Sequence, residues 1–154
     1  MVPLQFVQGA IVGKAKAQPG LVTLVGTEIR EDQWQGADFK YPAIRVAVDQ
    51  LIPDACWDKV EFTFMVFSEE DSSLQCGRIV SAVGILMSAQ VLSELDLPVD
   101  IQANVVNKFK SNGLTMRSVL APYRVQPRLW RSDAIFTCKV WNVGALYIKP
   151  ADAY

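Results

Sequence analysis

The sequence predicts an α+β domain of two layers, a mixed or antiparallel β-sheet with its helices packed on one face. Three observations predict it. From Trp57 to Phe67 the residues alternate with period two, putting Val60, Phe62, Phe64 and Val66 on one face and Glu61, Thr63, Met65 and Phe67 on the other. That is the pattern of a strand rich in β-branched and aromatic residues. Further on, Cys76, Ile79, Val80, Val83, Leu86 and Met87 recur at three- and four-residue steps, which makes one face of a helix apolar. Finally, the strand-like runs are joined by gaps of hairpin length, which suit an antiparallel or mixed sheet covered by helices on one side.

Taken in order, residues 3–18 read as a first helix, with Leu4, Val7, Ala10, Ile11 and Ala15 on one side and Lys14 and Lys16 in the last turn, where the helix dipole favours positive charge. Pro19-Gly20 ends it. Gly9 and Gly13 weaken it by roughly 1 kcal/mol each; their four-residue spacing either admits a closely packed neighbour or marks tolerated surface glycines. Residues 21–26 are a helical turn or a brief strand, and 27–30 a short edge strand. The polar stretch from Glu31 to Lys40 reads as an exposed loop, with Trp34 and Phe39 either folded back on the core or offered to a partner. Tyr41-Pro42 opens a strand in which Ile44, Val46 and Val48 alternate with Arg45, Ala47 and Asp49. After the Trp57–Phe67 strand, Ser72 and Gln75 have the spacing of a capping box, behind Glu69, Glu70 and Asp71. Residues 100–106 alternate as a strand would. Asn112-Gly113 is a hairpin signal within the basic turn from Lys108 to Gly113. Residues 114–120 alternate again, 125–132 form an arginine-bearing segment, and 135–143 are the last strand. The domain is expected to span 1–143, followed by an extended tail over 144–154.

Composition bounds the function. With 154 residues the chain suits one domain with its own core. Fifteen basic and sixteen acidic residues give a net charge of −1, which argues against a dominant nucleic-acid-binding surface. No apolar run is long enough to span a bilayer, and Met1 to Phe6 lack the charged start of a signal peptide. Cys56, Cys76 and Cys138 are widely spaced, and an odd count without a secretion signal reads as reduced, buried thiols in a cytosolic product.

No catalytic motif survives inspection. There is no histidine, so Ser-His and Cys-His nucleophile pairs are absent, and three scattered cysteines do not close a zinc site. Neither a dinucleotide glycine pattern nor a phosphate loop is present. Glu69, Glu70 and Asp71 lack the alternating spacing of a calcium loop. No catalytic, cofactor or metal residue is therefore assigned, and no cofactor is expected. The marked features are surfaces. Arg124, Arg128 and Arg131 surround Trp130, a grouping suited to carboxylates of a partner subunit or to phosphates and bases. With Trp34, Phe39, Lys108 and Lys110 they make up the candidate interface residues.

The order of elements resembles that of the tail terminator (tail completion) proteins of long-tailed bacteriophages. The resemblance is carried by the small apolar turn after the first helix (Leu21-Val22-Thr23-Leu24-Val25-Gly26) and the Tyr-Pro strand opening at Tyr41-Pro42-Ala43-Ile44-Arg45-Val46. It continues in the Trp-led strand from Trp57 to Ser68, the helix from Ser72 to Val83 and the closing strand from Ala134 to Val140, covering most of residues 3–143. It implies a structural virion protein, not an enzyme, assembled in the bacterial cytoplasm and located in the tail or neck. It implies a self-assembled ring, a hexamer in that family, that caps the tail tube and meets the tail tube protein, the head-completion or stopper protein and, in a contractile tail, the sheath. Genome DNA would pass through the lumen without sequence-specific binding, and no membrane is involved. The span 99–131 is longer than the corresponding links expected in that family. Competing readings are another neck or tail ring protein (connector, stopper or tube subunit), a protein-binding module, or a small enzyme using Asp49, Asp58 and Glu61.

Overall fold

The computed structural model describes residues 1–34, 39–102 and 108–143; the expected tail over 144–154 lies outside them. Helix α1 (Leu4–Lys16) is followed by helix α2 (Pro19–Val25), strand β1 (Ile29–Glu31), strand β2 (Ala43–Ile52) and strand β3 (Asp58–Glu69). Helix α3 (Leu74–Met87), a 3₁₀ turn (Glu94–Asp96) and the short helix α4 (Val99–Gln102) come next. Strands β4 (Lys108–Ser111), β5 (Thr115–Gln126) and β6 (Leu129–Val143) complete the chain. The sheet runs β1-β2-β3-β6-β4, with β5 also on β6. Among the described residues only the β1–β2 pair is parallel, so the sheet is mixed, as expected, and its helices lie on one face.

Period-two alternation places the core. Val60, Phe62, Phe64 and Val66 are all fully buried, as are Phe136 and Val140 on the neighbouring β6. Phe62, Phe64 and Phe136 meet with ring centroids 5.4 to 5.8 Å apart, one pair stacked and two edge to face. These are the geometries that the ring quadrupole favours. Against them α3 sets Cys76, Ile79, Val80, Val83 and Met87, all buried. From α1, Val7, Ala10, Ile11 and Ala15 are buried, whereas Leu4 of the expected apolar face is 47% exposed.

The chain departs from its expected path where a local signal meets a tertiary constraint. Pro19 does not end a helix but starts one, at its first position, where the missing N–H costs nothing. Gly26 then terminates α2 at φ +64°. The expected capping box at Ser72 and Gln75 is absent. Ser73 is the N-cap, without a side-chain cap bond and with no acid in the first turn, and Ser72 Oγ accepts only a long 3.4 Å bond from Leu74 N. A capping box forms instead at the 3₁₀ turn: Ser93 Oγ accepts from Leu95 N, and Ser93 N donates to Asp96 Oδ2 at 2.9 Å. The strand expected over 100–106 begins as helix α4, its first amide bonds going from Ile101 and Gln102 to the Pro98 carbonyl; residues 103–107 lie outside the described ones.

Asn112-Gly113 is not a hairpin turn. β4 and β5 run end to end along the same edge of β6. At the junction Asn112 takes the place of a strand residue: its N–H donates to the Lys139 carbonyl and its Oδ1 accepts from Lys139 N, at 3.0 and 2.8 Å. The true hairpin joins β5 to β6 through Pro127 and Arg128, with Arg128 at φ +66°, so the arginine segment is strand and tip rather than loop.

The glycines of α1 admit a close neighbour. A methyl group on Gly13 would fall on the Asp96 carbonyl oxygen, whereas one on Gly9 would meet only the tip of the Leu97 side chain. Lys14 and Asp96 add a 3.0 Å ion pair across this contact. Gly13→Ala is expected to destabilise the protein by about 2 kcal/mol, since backbone cannot yield as a side chain can. Gly9→Ala is expected to be near neutral, the clash being offset by about 1 kcal/mol of helix propensity. Urea titration of both variants checks the difference.

The three thiols divide. Cys76 and Cys138 are buried, but Cys56 is exposed, so the expectation of three buried cysteines holds for two. Burial pushes the Cys76 thiol from 9.0 up to about 11. It pushes Cys138 up to about 12. Below the unfolded value both states keep the proton. Above it only the unfolded chain ionises, so stability falls as pH rises from about 9 towards about 11. Cys76→Ala is expected to flatten that fall in urea midpoints measured across the window.

Candidate interaction surfaces

The sheet face away from the helices is partly covered by Trp34 and Phe39. Register puts Arg45 opposite Met65 and Ala43 opposite Phe67 on this face, with Asp133 and Arg131 the next neighbours on β6. Phe39 lies against Tyr41 and Phe67, at centroid distances of 4.9 and 6.2 Å. Arg45 sits over the Phe39 ring at 4.2 Å and Arg30 over Trp34 at 3.8 Å. Arg131 lies 5.7 Å from the centre of Phe67. The result is a bed of alternating guanidinium and aromatic groups, a favourable arrangement for both. Trp34 and Phe39 are thus folded back on their own sheet. Phe39 and Tyr41 still expose 44% and 38% of their surface.

An ion pair anchors this bed from within. Arg45 is 3% exposed and Glu28 7%. Arg45 Nη2 meets Glu28 Oε1 at 3.1 Å, while Nη1 donates to the carbonyls of Glu28 and Ile44. The alternation of β2 marked Arg45 as an outward polar residue; it gave no sign that loop aromatics would close over it. Arg131 is held in the same way by Asp133, two residues along its own strand, through bonds of 2.9 and 3.1 Å. The hydrogen bond to Asp133 raises the Arg131 pKa above its ordinary value.

The remaining candidate residues fall into two other places. Arg128 and Trp130 fasten the β5–β6 tip to the turn after β3. Arg128 pairs with Asp71 at 3.3 Å, Trp130 Nε1 donates to the Glu70 carbonyl at 3.1 Å, and Glu70 N donates to the Arg128 carbonyl at 2.9 Å. The acidic turn is therefore a seat for the tip and not a helix start. Arg124 lies on β5, exposed, opposite Trp130. Lys108 and Lys110 lie exposed on β4, at the other end of β6, opposite Val143 and Trp141. So Trp34, Phe39 and Arg131 share one surface, Arg128 and Trp130 brace a hairpin, and the lysines stand apart.

The carboxylates weighed for catalysis each have a separate partner. Asp58 Oδ2 accepts from the buried Val2 amide at 2.8 Å. Asp49 accepts from Thr63 Oγ1 at 2.6 Å, and Glu61 pairs with Arg117 at 3.2 Å. Among the described residues no group of three or more potential ligands is placed to hold a metal ion, and no helix is long and apolar enough to cross a membrane.

What sequence reading missed is the exposure of β5. Eleven of the residues Thr115–Gln126 are exposed and Pro122 is half-buried, among them Met116, Val119, Leu120, Tyr123 and Val125. The signal was present, because this run carries apolar residues at both parities and therefore on both faces.

A solved virion particle contains a similar fold. The structure titled "Virion of native gene transfer agent (GTA) particle" includes a chain that matches with a TM-score of 0.68 at 16% sequence identity. The match covers 89% of this chain and 95% of that one. At that identity the likeness establishes the fold. No family model matches the sequence, and no curated protein does.

The buried pair is the feature whose removal is expected to cost most. Glu28→Ala leaves Arg45 without its carboxylate and is expected to destabilise by about 3 kcal/mol. Asp71→Ala, which removes a pair whose acid is 90% exposed, is expected to stay within about 0.5 kcal/mol of the parent. Denaturant melts of the two variants give the comparison.

Proposed function

We propose that the protein is a structural virion component without catalytic activity. More specifically, we propose a tail terminator: a ring, six-membered as in the family it resembles, that caps the tail tube, stops its growth and joins the tail to the head-completion protein. The observation that carries this reading is the extent of the structural likeness. It covers 95% of a chain from a virion particle, so the correspondence is between whole subunits rather than a shared motif. That likeness supports a virion structural protein, and the terminator role rests on the order of elements read from the sequence.

The mechanism is steric and electrostatic. Copies associate through unlike surfaces, and a rotation that closes gives a ring. One face of the ring matches the end of the tube. The other offers no surface that a further tube ring would fit, so growth stops for want of a complementary partner. The lumen passes DNA without reading it, in keeping with a net charge of −1. Among the candidate residues, Arg124, Lys108 and Lys110 are exposed and carry no ion pair among the described residues. They suit rim contacts with tube or head partners, while Trp34, Phe39, Arg128, Trp130 and Arg131 shape the surface that is presented.

Negative-stain imaging of the purified protein, alone and with tube subunits from the same source, tests this. Closed rings, or capped tubes of fixed length, are expected. Open tubes formed by the protein alone would make it the tube subunit, and indifference to tube ends would defeat the terminator assignment.

A further inference from the structure

Helix α3 buries one face and should present a polar one, yet its outward stripe carries Ile85 at 77% exposure. Beside it, β5 turns Met116 and Val119 towards the helix layer, opposite Phe136 and Ala134, and both remain about 40% exposed. The groove between helix and strand is about 550 Å³ and is lined by Val80, Gly84, Ile85, Met116 and Val119 together with two serines, Ser81 and Ser88. The two elements contain Arg78, Arg117 and Arg124 and no acid. Arg117 is drawn to Glu61 on the other face, which leaves Arg78, exposed on α3 and on the same helical stripe as Ile85.

The same chain carries a second exposed apolar surface with the opposite charge. Between α3 and the end of α4, Val91, Leu95 and Val99 are 54%, 73% and 82% exposed. That segment contains Glu94, Asp96 and Asp100 and no base; Asp96 is paired with Lys14, so Glu94 is the acid it offers. Its shape is fixed in advance by the Ser93–Asp96 capping box and by bonds from Gln102 Nε2 to the carbonyls of Leu95 and Leu97. It packs on α1 and β4.

We infer that the α3–β5 groove of one copy receives the Val91–Ile101 segment of a second copy. Two apolar patches of complementary charge on one chain are what a head-to-tail contact requires, whereas a foreign partner would need only one of them. Such a contact joins unlike surfaces and so repeats around a ring. This rests on the assembly reading above and assigns its subunit contact. The contact is between faces, not strand edges: β5 has Pro122, two arginines and three register shifts against β6, the devices that keep an edge from adding strands.

Ile85→Asp and Leu95→Asp change highly exposed residues, so both variants are expected to fold, which circular dichroism verifies. Light scattering after gel filtration then reads their size. Wild type is expected to form rings and each variant alone to be monomeric. An equimolar mixture is expected to stop at dimers, because it contains one intact groove and one intact segment. Rings that persist in either variant, Leu95→Asp dimers formed alone, or a mixture that stays monomeric would overturn the contact. A wild-type chain that is monomeric both free and on tube ends would overturn it too. Rings of Ile85→Asp that still cap tubes would sink this contact and leave the terminator reading standing. Variants that behave as expected while wild-type rings ignore tubes would do the reverse.

Discussion

The structure depends on the antiparallel ladder between β3 and β6, which pairs every residue of β3 from Asp58 opposite Val140 to Glu69 opposite Leu129. Its inner face brings Phe62, Phe64 and Phe136 together, and α3 packs on those rings. A slip of one residue would turn each of them to the opposite face. The same register brings Arg131 beside Phe67 and Trp130 beside Ser68, so both the aromatic bed and the bracing of the hairpin tip follow from it. β2 extends the ladder on one side, and β4 and β5 share its other edge.

Elements with a clear period and one buried face were readable in the sequence: α1, β2, β3, α3 and most of β6. What was not readable was decided by partners distant in sequence. Asn112-Gly113 looks like a turn because local preference favours one. Its outcome is set by Lys139, which takes both hydrogen bonds of the Asn112 side chain and backbone. Pro127-Arg128 was the real turn, concealed because arginine is an uncommon residue at positive φ. The Ser72 capping box does not form because α3 starts at Leu74, which makes Ser73 and not Ser72 the N-cap. For the candidate surfaces, residue types were a fair guide to what sits near the surface. Whether an aromatic faces a partner or its own sheet depended on Arg45, whose burial no local pattern announces.

That division explains the use of charge. Several arginines are spent internally: Arg45 on Glu28, Arg131 on Asp133, Arg117 on Glu61 and Arg128 on Asp71. Guanidinium groups suit this work because they pair in the plane with carboxylates and stack on rings at the same time, as Arg45 does. The energetic weight is uneven. The buried pair is costly to break, while the exposed pairs chiefly set direction.

The exposed strand β5 raises the question of how a sheet can offer so much surface without running on from copy to copy. An open edge of this length would add strands without limit, a poor property for a subunit proposed to end a polymer. The edge is interrupted where β5 shifts register against β6, and Pro122 removes one amide donor outright. The apolar side chains are retained on the faces of the same strand. Side-chain packing, unlike strand addition, has a shape of its own and fixes an angle between neighbours. A fixed angle is what allows a chain of like contacts to close. On this argument the irregularities of β5 and its exposed apolar residues are one device: the first blocks open-ended pairing, and the second supplies an association that can finish.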